Sequence, residues 1–218
     1  MEQPFVLFKR KTLTYAIAEW LEEVRTISPF PDDVESSEAD DAQEAQYVVK
    51  VVFCGDWGVG KTSLIRRFAE NKFDHDYKPS IGVNIVTKIV DVKGRKLKLQ
   101  MFDTGGQERF RTMRQRYYTG ANAAVFIFDV TRASSASGIE SRWIDEVEEV
   151  LGSDYERLVL ANKVDLDHER EVSEYAAKQA TERIKGNYFE TSAFDGRNVH
   201  DAFLDLATRL MDKLFPET

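Results

Sequence analysis

Gly55-Asp56-Trp57-Gly58-Val59-Gly60-Lys61-Thr62 has the spacing G-x-x-x-x-G-K-[ST]. Glycines let a backbone curl until successive N–H groups point inward, which is how main chain cradles phosphate oxygens. Gly58, Val59 and Gly60 supply the candidate N–H groups. Lys61 brings a point charge for a β- and a γ-phosphate, and Thr62 a hydroxyl for Mg²⁺. A glycine-rich turn with a chance Lys-Thr is the bland alternative. Context weighs against it, because the chemistry needs a strand before the turn and a helix dipole after it.

Two further clusters fit the same chemistry. In Asp103-Thr104-Gly105-Gly106-Gln107-Glu108, an aspartate closing a strand can hold Mg²⁺, usually through water. Gly106 leaves its N–H open to a γ-phosphate, and Gln107 can orient an attacking water. In Asn162-Lys163-Val164-Asp165, the Asp165 carboxylate can accept two hydrogen bonds from the N1–H and 2-amino edge of guanine. Adenine has no such donor pair. Charge-assisted bonds are worth about 1.5–3 kcal/mol each, so two would decide the choice of base. Lys163 can lay its aliphatic stem along the base. Glu190-Thr191-Ser192-Ala193 is a weaker signal, in which the Ala193 N–H could meet guanine O6. Taken alone, N-K-x-D is an exposed polar turn and D-T-G-G-Q a strand end.

Elements that could position these residues are legible. Residues 48–54 (VVKVVFC) read as a buried strand, followed by a helix from Lys61 to about Asn71. Asn84–Val92 and Lys96–Asp103 alternate as a hairpin around Lys93-Gly94-Arg95. Residues 123–129, 158–162 and 188–191 are short apolar runs of the parallel-core kind. Helices are expected over 107–119, 138–152, 173–185 and 198–214. Alternating strands and helices imply an α/β fold with a mostly parallel sheet covered on both faces. In such sheets ligands sit at the carboxyl ends of strands.

The chain has 218 residues with net charge −8 and 42% hydrophobic residues, enough for a sizeable core and too acidic for bulk nucleic-acid binding. Residues 31–46 hold seven acids and no Lys or Arg, so removing −7 from −8 leaves −1 outside that stretch; residues 1–30 balance four acids with four bases. No apolar run is long enough to span a bilayer. The single cysteine, Cys54, rules out an internal disulfide and a cysteine metal cluster, and a cytoplasmic setting is the simplest reading. Three zones follow: a helical extension over 1–30, an acidic linker over 31–46 and the α/β body over 47–218. In the extension, Leu13, Ala16, Ile17, Trp20, Leu21 and Val24 form one face of an amphipathic helix over 11–27. Its acidic polar face (Glu19, Glu22, Glu23) favours docking on the body or self-association, ahead of a partner protein and then a membrane surface.

The four motifs, in this order, resemble the Ras superfamily of small GTPases. The wording of residues 102–112 (FDTGGQERFRT), 117–121 (YYTGA) and 128–131 (FDVT) is most similar to the Rab family. The resemblance covers about 47–214. It implies the small G-protein form of the P-loop NTPase fold: a six-stranded, mostly parallel sheet flanked by helices, with the N-terminal amphipathic helix in addition. It implies GTP or GDP as bound nucleotide, Mg²⁺ as cofactor, and a switch that hydrolyses GTP. By family position, Ser63 would touch the α-phosphate and Phe73 would stack edgewise on guanine. Tyr77 would cover the phosphates, and Ser80, in switch I (Ser80-Ile81-Gly82-Val83), would join Thr62 and Asp103 at the metal. Asn162, Lys163, Asp165, Ser192 and Ala193 would surround the base. Lys61 and Gln107 would carry hydrolysis. Exchange factors, activating proteins and effectors would be the partners.

The chain also departs from the family. Trp57 stands where Ras and Rab proteins carry a small residue. An indole there must lie outward over the phosphates or press on Gln107. Both placements fill the space of an inserted arginine finger, a contribution of about 10³–10⁵ in rate. Slow hydrolysis is the expectation; the alternative is a GTP-loaded interaction module that scarcely cycles. Gly105 replaces the usual Ala and is expected to loosen switch II (residues 102–112), as Ser80, lacking a methyl, is for switch I. Phe194 replaces the usual Lys beside the base. No cysteine stands at the C-terminus for prenylation, so membrane contact is expected only through the N-terminal helix or a partner.

Overall fold

The computed structural model describes residues 45–73 and 82–216. The expected helix over 11–27, residues 31–44 of the acidic linker, and Tyr77, Ser80 and Ile81 lie outside the described residues.

β1 (Tyr47–Cys54) leads through the glycine-rich turn into α1 (Lys61–Glu70). β2 (Val83–Val92) and β3 (Arg95–Thr104) form the hairpin. Both turn residues are left-handed (Lys93 φ 54°, Gly94 φ 77°), the geometry whose twist suits a two-residue hairpin loop, so Arg95 already belongs to β3. A 3₁₀ turn (Glu108–Phe110) precedes α2 (Arg111–Tyr118), and β4 (Ala123–Asp129) follows. α3 (Ala133–Gly138) runs through a π turn (Ile139–Trp143) into α4 (Ile144–Leu151). β5 (Glu156–Asn162), α5 (Glu174–Ile184), β6 (Asn187–Thr191) and α6 (Val199–Leu214) complete the body.

The sheet order is β2-β3-β1-β4-β5-β6, with β2 and β3 antiparallel and every other pair parallel. This is the doubly covered sheet the alternating pattern requires. Two helices differ from expectation at their starts. The helix placed at 107–119 begins at Arg111, with Gln107 still extended (φ −81°, ψ 140°). The one placed at 138–152 begins at Ala133, a small polar stretch without apolar periodicity; there Ser135 donates its hydroxyl to the Arg132 carbonyl at 2.7 Å.

Val49, Val51 and Phe53 of β1 point to one face, against Leu64, Ile65 and Phe68 of α1 and Phe203, Leu206 and Leu210 of α6. Phe68 stacks on Phe203 at 4.3 Å between centroids. The alternate residues, Val52, Phe126 and Phe128 among them, are buried on the other face. Burying each such side chain stabilises by about 1.5–3 kcal/mol, so the strand ends that carry the motifs are rigidly held. Among the described residues no helix is long and apolar enough to cross a membrane.

Candidate nucleotide site

A cavity of about 310 Å³ opens where the carboxyl ends of β1, β3, β5 and β6 meet. One end is the glycine-rich loop. Gly60 is the N-cap of α1 with φ 95°, and a Cβ there would lie 2.3 Å from Asn162 Nδ2, so only glycine fits. Lys61 opens the helix almost fully buried. Its ammonium donates to the carbonyls of Gly55 (2.8 Å) and Asp56 (2.9 Å). Burial pushes its pKa down to about 8, against the nearby Asp103 carboxylate. Thr62 lines the cavity beside this loop, and its hydroxyl donates to Oδ2 of Asp103, a residue buried just behind the wall that Thr104 forms. A hydroxyl and a carboxylate side by side form an oxygen-only donor pair, which suits a hard cation such as Mg²⁺.

Gly106 closes this end. A Cβ on it would stand 2.6 Å from Gly55 O, Asp56 C and Trp57 N, so the loop after β3 lies directly on the main chain of the phosphate loop. Gln107 is half-buried, but it is Thr104, Gly105 and Gly106 that line the cavity, not the Gln107 side chain. Trp57 lines the rim with 52% of its surface exposed, the outward of its two expected placements.

At the other end, Asn162 acts as a staple. Its Nδ2 donates to Val59 O at 2.9 Å, and its Oδ1 accepts from Ala193 N at 3.2 Å. Thus the Ala193 N–H, expected to face the base, is engaged by Asn162, whose own amide is spent on two loops. Lys163 takes a left-handed conformation (φ 70°) and pairs with Asp129 at 2.6 Å. Burial opposes the Asp129 charge, but hydrogen bonds from Lys163 and Thr131 prevail and hold its pKa below the usual carboxylate value. Asp165 Oδ1 accepts from the Ser192 hydroxyl at 2.6 Å, so Ser192 orients that carboxylate. Phe73 and Phe194 meet edge to face at 5.5 Å beside Asp165 and Leu166 in the cavity wall. The phosphate loop, the D-T-G-G-Q turn, N-K-x-D and the Ser-Ala loop therefore share one cavity, as their order in the sequence implied.

The Ras family model matches residues 50–212, about three quarters of the chain. The chain belongs to the Ras family. It is 39% identical to the Ras-related protein Rab-11A of Dictyostelium discoideum over 168 residues, 77% of this chain and 78% of the relative. It is 39% identical to human Rab-8B over 173 residues (79% and 83%), and to human Rab-30 over 171 residues (78% and 84%). It is thus a Rab-like small GTPase.

Several side-chain ties in this GTPase's site are not announced by its motifs. Arg67 of α1 donates to the carbonyls of Ala193 (2.8 Å) and Phe194 (2.6 Å), holding the base-side loop from the phosphate-side helix. Arg132 donates to Trp57 O at 2.8 Å. Asp56 accepts from Trp143 Nε1 at 2.8 Å and pairs with Arg142, both in the π turn. Arg114 holds the carbonyls of Gly105 and Gln107. Apart from Arg114, which reaches back only nine and seven positions to these carbonyls, each joins residues far apart in sequence, so no local spacing announces them. Read alone, each of these side chains is a solvated charge.

Proposed function

We propose that this small GTPase binds GTP with Mg²⁺ and hydrolyses it slowly, and that Trp57 sets the slowness. The single observation carrying the reading is the shared cavity: phosphate loop at one end, Asp165 at the other, and the indole of Trp57 on the rim between loop and solvent. Gly58, Val59, Gly60 and Lys61 hold the phosphates, with Ser63 at the α-phosphate and Tyr77 covering them. Phe73, Lys163 and Asp165 hold guanine, while Asn162, Ser192 and Ala193 fix the loops that present it. Thr62 and Asp103, with Ser80 by family position, would hold Mg²⁺, which would supply neutralisation of the phosphate charge.

Hydrolysis is in-line attack of water on the γ-phosphoryl group, carried by positioning and electrostatics. Lys61 neutralises charge and Gln107 orients the water. Gly106 donates to the γ-phosphate, so its loop, with the segment around Ser80, is ordered by the triphosphate and released by hydrolysis. Effectors read the ordered form; an exchange factor and an activating protein turn it over. The protein acts in the cytoplasm, meeting membranes through its N-terminal helix or a partner.

Single-turnover hydrolysis of Trp57→Ser against the parent tests the reading. The substituted protein is expected to be faster and more responsive to an arginine-supplying activator; equal rates would refute the role of Trp57. The half-exposed indole also favours a second reading, a GTP-loaded module that scarcely cycles. Chromatography of the nucleotide bound on purification separates them: mostly diphosphate supports the switch, mostly triphosphate the module.

A further inference from the structure

Arg114 of α2 is fully buried, and so is Glu146 of α4. They form a bidentate pair, Nε to Oε1 and Nη2 to Oε2, both at 2.8 Å. Tyr118 donates to the same Glu146 Oε1 at 3.0 Å. The remaining guanidinium nitrogen, Nη1, donates to Gly105 O at 3.0 Å and Gln107 O at 2.6 Å. The guanidinium lies 4.6 Å over the ring of Trp143, whose indole N–H is held by Asp56 of the phosphate loop.

A buried ion pair is weak evidence for stability, because apolar residues of similar volume often serve as well. What it supplies here is geometry. Gly105 gives the turn after β3 extra backbone freedom, and Arg114 removes it by gripping the carbonyls on both sides of Gly106. We propose that Arg114, fixed by Glu146, is a positioning residue for hydrolysis. By holding the main chain at 105–107 it sets where Gln107 stands relative to the phosphate loop. Resting on the GTPase reading above, this inference predicts that switch II is held on α4 before nucleotide contacts order it.

The test replaces both charges together, Arg114→Met with Glu146→Leu, in the full chain, so that no buried charge is left unpaired. GDP and GTP affinities are expected to stay near the parent's, while single-turnover hydrolysis falls about tenfold, the worth of one hydrogen bond. In a Gln107→Leu background the same pair is expected to change the rate by no more than about twofold, since its effect runs through Gln107. Amide exchange over 104–110 rises in the paired variant. An unchanged rate, or the same fold-loss in the Gln107→Leu background, overturns the inference. A parent that does not hydrolyse GTP overturns the GTPase reading instead, and exchange over 104–110 then decides whether Arg114 holds the turn: unchanged exchange refutes that too. Should the paired variant fail to bind GDP, Glu146→Gln, which keeps the shape and loosens the pair, takes its place in every comparison.

Discussion

Gly106→Ala adds one methyl group at the closest approach of the two phosphate-side loops. Gly106 does not have a left-handed backbone, so alanine is free of conformational strain and its effect is steric alone. The methyl would stand 2.6 Å from three main-chain atoms, Gly55 O, Asp56 C and Trp57 N, none of which can rotate away. Moving from 2.6 Å to the 3.4 Å of ordinary contact requires about 0.8 Å of separation between the loops. A hydrogen bond of ordinary length, about 2.9 Å, would open to about 3.7 Å and be lost. If the Gly106 N–H serves the γ-phosphate, the loss is that of a bond to a charged group, about 1.5–3 kcal/mol, or about 10–150-fold in affinity. GDP has no γ-phosphate and is expected to bind as before. Displacement of a fluorescent GDP analogue by GTP and by GDP measures the ratio directly. A GTP-to-GDP ratio within about twofold of the parent's would show that Gly106 does not meet the γ-phosphate.

Asp165→Asn exchanges an acceptor for a group that can also donate, so guanine binding is expected to fall by about 10- to 100-fold or more, two charge-assisted bonds being disturbed. Xanthine nucleotides, with a carbonyl in place of the 2-amino group, are expected to bind the variant better than the parent, and competition between XDP and GDP reads the swap; unchanged preference would exclude Asp165 from the base. Lys61 has a pKa of about 8 in the nucleotide-free protein, lowered from 10.5 by burial. Phosphate oxygens favour its charged form, so nucleotide binding near pH 8 takes up protons and affinity declines as pH rises past about 8, at most about tenfold per pH unit. The same shift makes the empty protein more stable as pH climbs from 8 towards 10.5, because the unfolded chain holds that proton longer. Calorimetry in two buffers of different ionisation enthalpy checks the uptake, and identical heats would contradict it.

The motifs were legible because their chemistry is local. A phosphate cradle needs curled main chain within eight residues, and a β-strand such as Ala123–Asp129 declares itself by an unbroken apolar run; the observed strand has those very bounds. What sequence could not show is how loops are tied together. Arg67 reaches Ala193 across 126 positions, Asp56 reaches Trp143 across 87, and Arg114 reaches Glu146 across 32. Such pairings have no period. They depend on which helix faces meet, and in isolation each residue reads as a solvated charge. The start of α3 was missed for a related reason: Ala133-Ser134-Ser135-Ala136 has no apolar stripe, and its helix is fixed by Ser135 bonding to the end of β4 and the Arg132 carbonyl. Asn162 and Ser192, expected around the base, also tie together the loops that line the cavity, a role that no motif announces.

These ties bear on how Trp57 is accommodated. The phosphate loop is anchored through Asp56 on Trp143 and Arg142, and the turn bearing Gly106 and Gln107 is anchored through Arg114, which rests on the same Trp143 ring. Both walls of the corner where these two loops meet therefore hang from one π turn, a helix irregularity that turns two consecutive side chains, Arg142 and Trp143, to the same carboxylate. Walls tied to one anchor resist the wide parting that an indole would need, far more than the ~0.8 Å that one methyl asks of them. The ring must leave the corner, and it does so with half its surface in solvent, while Arg132 holds the carbonyl of the same residue. A small residue at position 57 would then vacate the rim without moving either wall. That is why a change in hydrolysis rate for Trp57→Ser reports on access to the corner, and a change for the Arg114 and Glu146 pair reports on the wall itself.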